Sequence, residues 1–165
     1  MADVFISYAA EDRRLGAELA AQLARRGFSV WWDYELLGGE RFREVIGREL
    51  EAARCAAVIW TPRSVASPFV QDEADLARRQ DKLIPLMSDD LDRALIPLGF
   101  GQLHCLRLTA LEQIVRTVNR FVCPRNGVAA PCSARLLRVA RHIEIERGKK
   151  AAAKHAGAGP LPPPL

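Results

Sequence analysis

Cys55-Ala56-Ala57-Val58-Ile59-Trp60, followed after a short break by Ser67-Pro68-Phe69-Val70-Gln71-Asp72-Glu73, decides the fold. An apolar run without alternation reads as a strand buried on both faces, as strands of a parallel sheet are. Ser67 then suits a helix N-cap, and Pro68 the first helical position, where a missing N–H costs nothing. A buried strand running into a helix is half of a βαβ unit, and open α/β sheets hold ligands beyond the carboxyl ends of their strands. Phe69 and Glu73 are four residues apart, so they share one helix face just past such an end.

The same alternation extends both ways along the chain. Val4-Phe-Ile-Ser7 predicts a first strand, and Leu15, Leu19 and Leu23 give a first helix its apolar stripe, with Gly27 at its end. Residues 28–32 predict the second strand. After a loop from Asp33 to Glu40, a second helix carries Phe42, Val45, Ile46, Leu50 and Ala53 on one side. The third helix buries Val70, Ala74 and Ala77 and leaves Phe69, Glu73 and Leu76 on the adjoining strip. Leu83-Ile-Pro-Leu-Met87 predicts a fourth strand, where Pro85 removes a ladder donor and favours an edge or irregular position. Residues 88–101 read as a loop with at most a short helix, residues 103–107 as a fifth strand, and Leu111, Ile114, Val115, Val118 and Phe121 as a final helix. Five strands and about five helices predict an α/β, flavodoxin-like three-layer fold with a five-stranded parallel sheet in strand order 2-1-3-4-5.

The chain has 165 residues and is 49% hydrophobic, which suits one domain with a sizeable core and a tail. From Cys123 onward Pro124, Asn126-Gly127 and Pro131 break the pattern. A basic stripe from Ala134 to Arg147 has helical spacing, and residues 157–165 are rich in Pro and Gly. Residues 1–122 therefore read as the domain, and 123–165 as a linker leading to a possible further domain. Residues 133–165 hold seven basic and two acidic side chains, leaving 17 basic and 18 acidic before them. The domain is near neutral and the pI of about 9.1 belongs to the tail, so no nucleic-acid partner is expected. No apolar run is long enough to span a membrane, and a strand pattern stands where a signal peptide would be, which predicts a cytoplasmic address. Cys55, Cys105, Cys123 and Cys132 lack metal-ligand spacing; the first two read as buried apolar thiols and the others as exposed.

Three motifs stand in order: Val4-Phe-Ile-Ser-Tyr8 with Asp12; Trp32-Asp33 with Leu36-Leu37-Gly38-Gly39-Glu40-Arg41-Phe42; and Ser64-Val-Ala-Ser67 leading to Phe69-Val70 and Glu73. Together they resemble a Toll/interleukin-1 receptor (TIR) domain of the bacterial type, over residues 1–122. The resemblance implies one of two functions. Some TIR domains cleave the nicotinamide–ribose bond of NAD, with self-association completing the site; others only assemble with further TIR domains. Glu73 matches the catalytic glutamate of the enzymatic members. Phe69 replaces their usual tryptophan, which keeps a ring but loses the indole donor and leaves hydrolysis and cyclisation both open. Gly38 stands where proline is common, and two glycines make that loop more mobile. Residues Leu36, Leu37, Gly38, Gly39, Glu40 and Arg41 are the expected interaction loop.

One carboxylate suffices for such a cleavage. Nicotinamide leaves NAD as a neutral molecule and needs no general acid, so the remaining task is to offset charge on an oxocarbenium-like ribose. Ser7, Tyr8 and Ala9 after the first strand, Trp32 and Asp33 after the second, and Ser67 beside the helix start are the candidate substrate contacts around Glu73. Trp31 and Trp32 alternate sides, so one is expected in the core and the other at the cleft. No G-x-G-x-x-G or P-loop follows the first strand, so an ordinary dinucleotide or triphosphate fingerprint is absent; the resemblance implies NAD as substrate, and no bound cofactor or metal is expected.

Overall fold

Two strands form the middle of the sheet: β1 (Val4–Ser7) and β3 (Cys55–Trp60) are buried along their whole length. They pair in parallel, from Val4 opposite Cys55 to Ser7 opposite Val58. β2 (Val30–Trp31) joins the free side of β1, while β4 (Leu83–Met87) and then β5 (Leu106–Arg107) extend beyond β3. The order is 2-1-3-4-5 and every pair is parallel, as the sequence predicts. This computed structural model describes residues 1–32 and 42–123. The loop from Asp33 to Arg41 and everything from Pro124 onward, including the basic stripe and Cys132, lie outside the described residues.

The described helices are α1 (Arg13–Arg25), α2 (Phe42–Ala52), α3 (Pro68–Arg79) and α4 (Leu111–Val122). Right-handed crossovers fix their layers, because the chain reverses direction across the sheet after β2. α1 and α4 cover one face, joined by an ion pair of Arg26 with Glu112 at 2.5 Å; α2 and α3 pack together on the other. Ile6, Leu23, Leu50, Ile59, Leu86 and Ile114 are fully buried between the layers, each stabilising the fold by roughly 1.5–3 kcal/mol relative to exposure.

Several elements differ from the sequence expectation. Only four α-helices occur among the described residues, since residues 88–101 hold just a 3-10 turn at Arg93–Leu95. β2 is shorter than 28–32 because Phe28 still belongs to the end of α1: its N–H donates to Leu23 O at 3.2 Å, past Gly27 at φ +87°. β5 begins late because Leu103 N–H donates to Phe100 O at 2.9 Å and Arg93 takes the Leu103 carbonyl at 3.1 Å.

Pro85 lies in β4, an interior strand. Ser88 N–H reaches Trp60 O on β3 while Met87 O accepts from Leu108, so odd-numbered residues of β4 face β5. The β5 ladder covers only Leu86 and Met87, so the missing N–H of Pro85 faces a stretch with no ladder to interrupt.

Lys82 supplies a clamp that no motif announces. It is 7% exposed, and its Nζ donates to Leu50 O, Glu51 O and Ala53 O at 2.6, 3.0 and 3.2 Å, occupying all three ammonium protons at the carboxyl end of α2. No helix among the described residues is long and apolar enough to cross a membrane.

Candidate active site

α3 starts where the sequence places it. Ser67 is the N-cap, its Oγ accepting from Val70 N–H at 3.4 Å, and Pro68 sits in the first turn. From that start, Val70, Glu73, Ala74 and Ala77 point inward at the i, i+3, i+4, i+7 spacing of a buried stripe. Glu73 is therefore 5% exposed and lies inside the stripe, whereas Phe69 and Leu76 on the adjoining strip are partly buried against the core.

The carboxyl meets the end of β1. Ser7 is fully buried, and neither its Oγ nor either oxygen of Glu73 has a hydrogen-bond partner among the described residues. Burial pushes the Glu73 carboxyl up to about 8; the Ser7 hydroxyl pulls the other way, and the Asp72 charge adds to the rise. Burial outweighs the Ser7 hydroxyl, so the neutral form of the carboxyl is favoured near neutral pH.

Tyr8 and Trp32 are placed apart from this pair. The Tyr8 ring, 2% exposed, lies against Gly16 of α1, so close that a Cβ on Gly16 would stand 2.9 Å from Tyr8 Cδ1. Trp32 packs beside it at 6.4 Å between ring centroids, with the Arg13 guanidinium 6.0 Å from the indole. Trp31 stacks on Phe5 at 5.0 Å and 13°. Phe5 and Ser7 project to the same side of β1, so Trp31 is the tryptophan on the Glu73 face and Trp32 sits on the α1 face. Ala9 is buried and its carbonyl accepts from Asp12 N–H at 2.8 Å. Asp33 and the loop Leu36, Leu37, Gly38, Gly39, Glu40 and Arg41 lie outside the described residues.

A groove of about 740 Å³ opens on the α1 face, along α1 and the loops after β3, β4 and β5. Glu73 does not line it. Its floor is a polar network: the Asp12 carboxylate, in a side chain 4% exposed, accepts from Thr61 Oγ1 at 2.5 Å and from Arg63 Nη1 at 3.0 Å. Thr61 N–H in turn donates to Ser64 Oγ at 2.7 Å.

The profile of the TIR domain family matches residues 4–118. The chain belongs to the TIR domain family.

This TIR domain is similar in fold to that of the Toll-related receptor TRR-2 from Hydra magnipapillata. The two are 19% identical with a TM-score of 0.63, over 72% of this chain and 99% of that one. It is similar as well to a metazoan TIR-STING receptor from C. gigas, solved in complex with 2',3'-cGAMP, at 19% identity and a TM-score of 0.63. That match covers 72% of this chain and 39% of the receptor, so the chain spans well under half of that relative's length. No curated protein matches it.

Within the TIR domain, sequence reasoning brings Ser67, Phe69 and Glu73 to α3 and Ser7 to the strand end beneath them. It misses the roles of Asp12, Arg63 and Lys82. Asp12 is part of the first motif, but its partners lie 49 and 51 residues away, and no local pattern encodes them.

Proposed function

We propose that this TIR domain is an NAD glycohydrolase of a bacterial immune or signalling system, releasing nicotinamide and ADP-ribose or a cyclic variant, and activated by self-association. The observation that supports this reading is Glu73 itself: a buried carboxyl without hydrogen-bond partners among the described residues, strongly shifted in pKa, beyond the carboxyl ends of parallel strands. Groups with those properties concentrate at functional sites, because a fold keeps an unsatisfied carboxyl only against its own stability.

The chemistry follows from charge. The nicotinamide ring of NAD is cationic, and its approach lowers the pKa of Glu73 and favours the ionised form. The bond between the ring nitrogen and the ribose anomeric carbon breaks, its electron pair leaving with neutral nicotinamide. The Glu73 carboxylate offsets the positive charge left on the ribose, and water or an adenine nitrogen attacks that carbon. Phe69, one turn before Glu73, offers its ring face for stacking against the cationic nicotinamide. The carboxyl is shut off from water in the single chain, so turnover requires an opening, and self-association is the step proposed to supply it.

A second reading rests on a specific observation: the groove on the α1 face does not reach Glu73, and Phe69 packs against the core. On that reading the chain is a docking module for other TIR domains. Incubation of concentrated protein with NAD, measuring free nicotinamide, separates the two. Wild type is expected to release it and Glu73→Ala to release none. Equal release by both proteins, or none by either under assembly-promoting conditions, removes the enzyme reading.

A further inference from the structure

Ser7 ends β1 with no exposed surface, so its hydroxyl does not touch a substrate in the chain as folded. α3 packs against β1, and among the described residues the three buried oxygens there that lack hydrogen-bond partners are Ser7 Oγ and both carboxyl oxygens of Glu73. Leaving a buried polar group unpaired is costly, so a cluster of three in one place calls for a compensating role. Ser7 supplies the donor that acts on the Glu73 carboxyl, whereas Asp72, its neighbour on α3, brings only like charge.

We infer that Ser7 is the positioning residue of Glu73: when the carboxyl ionises, the Ser7 hydroxyl turns to donate to one oxygen and fixes the other toward the ribose. This rests on the NAD-cleaving reading above. The physical basis is that a hydroxyl proton rotates to suit its partner, and that a hydrogen bond to an ionised acceptor is about twice as strong as one to a neutral acceptor. The pair is loose while Glu73 is neutral and closes as charge develops. Serine suits the position because it adds a donor without adding charge, which leaves the carboxylate free to compensate the sugar.

The test reads the carboxyl directly, without turnover, by carbon NMR of glutamate-labelled protein, with Glu73 assigned by loss of its signal in Glu73→Gln. Ser7→Ala is expected to raise the Glu73 titration midpoint by about one pH unit, and Ser7→Thr, which keeps the hydroxyl, to hold it. In nicotinamide release at neutral pH, Ser7→Ala lowers kcat about tenfold and leaves KM within about twofold. A Ser7→Ala midpoint equal to that of wild type overturns the inference, whatever the turnover. If wild type cleaves no NAD while the Ser7→Ala midpoint still rises, the bond between Ser7 and Glu73 stands and the NAD reading falls. Should Ser7→Ala fail to fold, the Ser7 Cβ resonance of wild type decides: movement with the Glu73 midpoint supports the bond, and a flat response overturns it.

Discussion

The Thr61 hydroxyl donates to the Asp12 carboxylate at 2.5 Å and so ties the loop after β3 to the turn after β1. Arg63 closes the same carboxylate from the solvent side at 3.0 Å. Asp12→Ala leaves the buried hydroxyl without an acceptor and is expected to destabilise the domain by about 2 kcal/mol. The urea midpoint falls while the slope of the transition stays constant. Asp12→Asn keeps an acceptor and should lose less; midpoints equal to wild type in both variants would show the network to be stability-neutral.

Glu73 makes the domain less stable as pH rises. Its folded pKa of about 8 lies above the ordinary carboxyl value of 4.5, so between those limits the folded chain holds a proton that the unfolded chain has released. Stability is therefore greatest below the ordinary value and declines as pH climbs through about 8, by at most about 1.4 kcal/mol per pH unit. Urea unfolding of wild type and Glu73→Gln over this range checks the sign. The variant should gain on wild type with rising pH and level off above about 8, whereas parallel curves would mean that the carboxyl is hydrated in the folded state.

Gly16→Ala should be harmful although alanine is the better helix former. The added Cβ would stand 2.9 Å from Tyr8 Cδ1, and Tyr8 is 2% exposed, leaving its ring little room to move away. The helix-propensity gain of about 1 kcal/mol is outweighed by overpacking of roughly 1–3 kcal/mol. A lower melting temperature that Tyr8→Leu partly restores is the expected result; a rise in Gly16→Ala would show that the ring yields easily.

Lys82→Met removes three donors from the carboxyl end of α2 while keeping most of the buried stem. A loss of about 2 kcal/mol is expected, with faster amide exchange concentrated in residues 48–53. Uniform exchange along the chain would place the effect elsewhere.

The sheet was legible in the sequence because β3 is apolar through its length and β1 nearly so, and because α1 and α3 carry their own stop and start, Gly27 and Ser67-Pro68. The ends of β2 and β5 were not, since apolar patterning does not distinguish a ladder from a buried turn. Phe28 and Cys105 are both buried without lying in a strand. Glu73 was singled out by motif but misplaced by one strip: its number completes the stripe of 70, 74 and 77, and a carboxylate is the last residue expected there. Pro85 shows the converse, a strand interior that tolerates proline only because its neighbour is two residues long. That depends on a pairing partner from elsewhere in the chain.

Lys82 has a mechanical consequence for recognition. The helix immediately following the candidate interaction loop is bolted at its far end to the start of β4. Three hydrogen bonds from one buried ammonium therefore hold the carboxyl end of α2 against lengthwise displacement. Movement of that helix is therefore expected at its near end, before the end that Lys82 holds.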